Sequence, residues 1–148
     1  MKTRALFGAA LAALVAQPVL ALEHEVVIDH NAGPIAADYR GSVTIETTQT
    51  GTAGSAGRPS TLACRWTASL SVERVATLGE TLQSRRTITS ENVANGQKPG
   101  WCQTQAKAID KLVESRRESF RDTLLAMVEQ DRAALLAEAD SKAAAPRG

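Results

Sequence analysis

The chain has 148 residues, 17 of them basic and 16 acidic, for a formal charge of +1. A surface so close to neutral supplies no field for nucleic acid or for an anionic membrane. With two Trp, two Phe and one Tyr, any core must be mainly aliphatic.

Lys2 and Arg4 precede an apolar run from Ala5 to Val15, and a small-residue exit, "VLA", ends at Ala21. This is the pattern of a secretory leader, so residues 1–21 are expected to be removed. The run is short for a retained anchor, and no cysteine follows it to carry a lipid, so no stable membrane insertion is expected after cleavage. The chain from Leu22 would hold 127 residues (148 minus 21), one ordinary domain. It would keep 15 basic residues (17 minus 2) against 16 acidic ones, a net −1. A periplasmic or secreted location is oxidising, which pairs Cys64 with Cys102 as a disulfide.

In chain order, Val26, Val27 and Ile28 mark a short first strand within Glu23 to His30. The segment "NAGPIAADYRG" contains Gly33, Pro34 and Gly41 and reads as a loop. Gly41 to Thr50 alternates Val43 and Ile45 with Thr44, Glu46 and Thr48, a second strand. The glycine-rich stretch Gly51 to Ser60 reads as a hairpin tip. It is not a phosphate loop, because no Lys-Ser/Thr pair or helix follows it.

The strongest signal is Leu62 to Val75. Leu62, Cys64, Trp66, Ala68, Leu70 and Val72 share one parity, and Arg65, Thr67, Ser69, Ser71 and Glu73 the other. Period two of this kind is a half-buried antiparallel strand. After a turn at Gly79, "ETLQSRRTIT" is a fourth strand in which Ser84 and Arg86 interrupt the apolar parity, a device of edge strands. Asn95-Gly96 and Pro99-Gly100 then suggest a loop over Ser90 to Gly100. From Trp101 the period changes to three and four, and Ile109, Leu112, Val113, Phe120, Leu124, Met127, Val128, Leu135 and Leu136 outline an amphipathic helix. It is one helix, or two with a kink near Ser115 to Ser119.

The expected fold is α+β: an antiparallel meander of about four strands, with one long C-terminal helix packed across its apolar face. Residues 22–140 form the domain and 141–148 a frayed tail. Lengths leave a mismatch, since strands of about ten residues span about 33 Å and a helix to Ala139 about 60 Å. Leu124, Met127, Val128 and Leu135 would then need a protein partner, a second copy through the C-terminal helix, or a kink that returns them to the sheet.

Chemical motifs are sparse. A processed N-terminus Leu22-Glu23-His24 offers an amine, two amides and an imidazole, a square-planar nitrogen set for Cu(II) or Ni(II). A zinc site joining His24 and His30 with Glu25 and Asp29 fails, because the two ends of one strand lie about 20 Å apart. No nucleophile elbow is present. Glu114 and Glu118, interleaved with Arg117 and Arg121, read as a solvated helix face. Arg65, Arg85 and Arg86 read as a soluble sheet face. No enzyme and no cofactor are expected. The leading expectation is an exported protein that binds another protein through the helix or the open sheet edge, and the alternative is copper or nickel binding.

Overall fold

The computed structural model describes residues 19–80 and 82–145. Four antiparallel strands, β1 (Leu20–Ile28), β2 (Ile35–Thr50), β3 (Ala63–Leu78) and β4 (Leu82–Pro99), form one sheet in the order β1-β2-β3-β4. Two helices, α1 (Cys102–Ser115) and α2 (Arg117–Ala144), follow and cover one face. The expected α+β meander with a C-terminal helical layer is the observed architecture. Most of the expected leader, residues 1–18, lies outside the described residues. Its last residues enter the sheet, where the Val19 N–H donates to the Val43 carbonyl at 3.1 Å and Leu20 is buried.

The strands are longer than the sequence suggested. Ile35, Ala37, Tyr39, Gly41 and Val43 alternate as buried residues, so most of the expected loop before Gly41 is the first half of β2. Gly41 belongs inside the strand for a packing reason: a Cβ there would sit 3.2 Å from Leu70 Cδ1, where Leu22 and Leu70 close over β2. The expected loop over residues 90–100 is likewise the second half of β4. Gly96 makes no turn; it gives the Trp66 ring room, since a Cβ would lie 2.8 Å from the indole Nε1.

β4 accommodates the extra chain with a bulge. Ala68 pairs with Ala94 but Leu70 pairs with Ser90, which sets three residues of β4 against Ser69 alone. Asn92 takes φ 53°, its N–H donates to Ser69 Oγ at 3.3 Å, and its Oδ1 accepts from Asn95 Nδ2 at 2.8 Å. Asparagine tolerates this left-handed conformation better than most residues.

The helical layer breaks at Arg116, inside the expected window, and the Arg116 N–H turns back to the Val113 carbonyl at 3.0 Å. Strands of 16, 16 and 18 residues span roughly 53 to 59 Å, against about 21 Å for α1 and 42 Å for α2. The sheet is therefore long enough, and the expected overhang does not exist. Leu124, Met127 and Leu135 are buried in the core of their own chain and Val128 packs partly buried against it. α2 also continues through Ser141–Ala144, part of the expected frayed tail, with the Ser141 hydroxyl donating to the Ala137 carbonyl.

Candidate functional site

β3 runs alongside the helical layer and anchors it at both ends. Cys64, on the buried face, meets Cys102 in the first turn of α1 with Sγ–Sγ 2.09 Å and Cα–Cα 4.8 Å, the expected pairing. Gln49 of β2 reinforces this corner. Its Oε1 accepts from the Cys102 N–H at 2.7 Å, and its Nε2 donates to the Ala63 and Gly100 carbonyls at 3.1 Å each. A side chain from the sheet thus satisfies a helix N-terminal donor that Trp101 leaves open. Trp66, two residues along β3 from Cys64, carries the Arg116 guanidinium over its ring, 5.6 Å from the centroid.

At the other end lies a buried ionic cluster. Arg74 occupies the buried parity of β3, and both it and the Asp131 side chain are inaccessible to solvent. Asp131 Oδ2 accepts from Arg74 Nη1 at 2.8 Å and from the Tyr39 hydroxyl at 3.0 Å, while Oδ1 accepts from Arg86 Nη1 at 3.2 Å. Arg74 Nη2 donates to Glu138 at 2.9 Å and to Ser84 Oγ at 2.8 Å, and Ser84 in turn donates to Glu138. Burial and the neighbouring Asp131 carboxylate push the Tyr39 phenol well above its ordinary range. Burial raises the Glu138 carboxyl, but hydrogen bonds from Ser84 and Arg74 outweigh it and hold the group below its ordinary value. Burial opposes the Arg74 charge, yet its bonds to Glu138 and Asp131 raise its pKa further. Only Arg74 Nε is left without a partner in the cluster. Groups so thoroughly engaged with one another hold a helix on a sheet, with Arg74 and Asp131 sealed at the centre and Glu138 and Arg86 reaching the surface.

The interruption of β4 at Ser84 and Arg86 is a trace of this cluster, since both side chains meet α2. Arg85 instead pairs with Glu73 at 2.5 Å, so the three arginines Arg65, Arg85 and Arg86 form no common patch. His30, partly buried just past the end of β1, is committed to a local role. Its Nδ1 accepts from the Ala32 N–H at 3.1 Å, which leaves Nε2 as the protonated nitrogen facing Asp140 at 2.7 Å.

Leu22, Glu23 and His24 lie in β1, opposite Gly41, Arg40 and Tyr39. Consecutive amides of a strand point to opposite edges, so a planar set using the Glu23 and His24 nitrogens would break one bond to β2. Among the described residues no cluster of three or more His, Cys, Asp or Glu is placed to hold a metal ion. No helix among them is long and apolar enough to cross a membrane.

What remains open is the edge of β1. Among the described residues its only strand neighbour is β2, and beside its free edge runs the first part of α2. Between them is a hollow of about 240 Å³ lined by Leu22, His24, Arg117, Arg121, Leu124 and Leu125, with Ala21 and Glu23 at the rim. Leu125 is 40% exposed there, one of three large apolar side chains so exposed among the described residues. The sequence alone reads Arg117 and Arg121 as a solvated face because nothing local places β1 next to them. No family model, curated protein or solved structure matches this chain.

Proposed function

We propose that the protein is an exported, non-enzymatic binding module whose free β1 edge takes up an extended segment of another protein. The observation that carries this reading is the groove between β1 and α2: unpaired strand amides on one wall, a helix bearing exposed Leu125 on the other. An added strand would gain main-chain hydrogen bonds from β1 and send alternate side chains toward α2, the geometry of β-strand addition. The opposite edge is poorly suited, because β4 carries a bulge at Asn92, two arginines, Lys98 and Pro99, features that discourage strand addition. The leader-like N-terminus and the Cys64–Cys102 pair support an oxidising location.

The test is site-specific photo-crosslinking in periplasmic extract, with a benzophenone amino acid at Leu125 or, on the far sheet face, at Thr87. A crosslinked protein from position 125 but not from 87, with hydrogen-exchange protection of β1 in the isolated complex, is the expected result. Equal crosslinking from both positions, or protection confined to β4, would discard the groove.

A further inference from the structure

The groove also carries a charge pattern that selects among extended segments, and this inference rests on the groove reading above. Arg117 and Arg121 line it, both exposed, and neither forms an ion pair among the described residues. Other cations of the same chain are committed: Arg74 and Arg86 to Asp131, Arg85 to Glu73, and Arg40 to Asp38. Four residues along a helix advance about 6 Å, so the two guanidinium stems stand about 6 Å apart. Two residues along a strand advance about 6.6 Å and return to the same face.

A strand laid on β1 opposite Leu22 and His24 therefore points side chains i and i+2 toward two free cations at almost the same interval. His24 lines the same hollow as a further donor, and the exposed Leu125 supplies apolar contact beside the buried Leu124 that floors it. Glu23 lies on the opposite parity of β1, so its side chain belongs to the other sheet face. We infer that the groove binds an extended acidic peptide segment of the form acid-x-acid, flanked by apolar residues on the same face. Each carboxylate receives a charge-assisted pair from one arginine, while the β1 edge supplies the main-chain bonds.

The probe is a fluorescein-labelled peptide, Val-Thr-Glu-Thr-Glu-Thr-Val, titrated with the protein as purified from cells and followed by anisotropy. Binding is expected to weaken as salt rises, and to fall on the order of tenfold or more in an Arg117→Glu/Arg121→Glu variant. Both positions are exposed, so the variant keeps its fold, which a thermal melt verifies. The charge-reversed peptide with two lysines should then bind the variant and not the wild type. A copy of the acidic peptide N-methylated at alternate residues should fail to bind, because it cannot pair with β1.

Equal affinity for the acidic, lysine and all-threonine peptides would overturn the acidic specificity while leaving the groove standing. Failure of every extended peptide, whatever its charge, would remove both readings. Arginine-dependent binding to phosphatidylglycerol vesicles without binding to the peptide would also overturn the inference, by assigning the two cations to a lipid surface.

Discussion

At the start of β3 the helical layer is held by a covalent bond and one amide side chain; at its far end it is held by ions. The Cys64–Cys102 corner is compact, with Gln49 satisfying three main-chain groups beside it. The Arg74–Asp131–Glu138 end gathers side chains from β2, β3, β4 and α2. The first fixes where the helices begin. The second fixes the rotation of α2 on the sheet, because Asp131 can reach Tyr39, Arg74 and Arg86 together only when its own face is turned inward. A disulfide acts mainly by restricting the unfolded chain, whereas a buried ion pair contributes little net stability but is costly to break. The two ends should therefore respond differently to perturbation.

The largest effect is expected at the ionic end. Asp131→Ala leaves Arg74 buried with Glu138 as its sole carboxylate and should lower stability by roughly 3 to 5 kcal/mol in urea melts. An Arg74→Met/Asp131→Leu double variant should lose less than the single, because no charge is then stranded. A double variant as unstable as Asp131→Ala would show that the ions contribute net stability and do more than set the orientation of α2.

Opening the other end is next. Replacing both cysteines by serine releases a loop closed across 38 residues and should cost about 4 kcal/mol, with the midpoint shift read in the same melts. Thiol labelling of the denatured, unreduced protein should find no free cysteine. Gln49→Ala tests the corner without touching the disulfide, and the loss of its bonds to Cys102, Ala63 and Gly100 should cost about 1 kcal/mol.

The smallest effects are the pH slopes, which belong to the ionic end alone. Glu138 has a lowered pKa in the folded chain, so its contribution is complete above the ordinary glutamate value of about 4.3 and is lost as pH falls further. Tyr39 has a raised pKa, so its contribution holds below about 10 and declines as pH rises beyond it, where the unfolded phenol ionises first. Glu138→Gln should flatten the acid limb of a stability profile and Tyr39→Phe the alkaline limb. The disulfide variant should keep both slopes, and their disappearance there would mean that the two ends are one cooperative unit.

Local alternation makes β3 legible, and parity alone places Cys64 and Trp66 on the buried face. The three- and four-residue period makes the helical layer legible, including the window in which it breaks. Glycine misleads where it serves packing instead of turning: Gly41 and Gly96 lie inside strands because Leu70 and Trp66 need the space, and that need exists only once strands are side by side. Strands read as too short then imply an overhang that the folded chain does not have.

The ionic cluster leaves two traces in the sequence, each looking like a flaw. Arg74 continues the apolar parity of β3, and Asp131 stands four residues from both Met127 and Leu135 on the buried stripe of α2. Periodicity, a property of neighbours in the chain, determined which face each residue takes. Pairing Arg74 with Asp131 across 57 positions, and bringing Arg117 and Arg121 beside β1, required the register of the sheet and the path of α2 across it. Those were decided only in the tertiary structure, because no local rule couples the rotation of a helix to the parity of a distant strand.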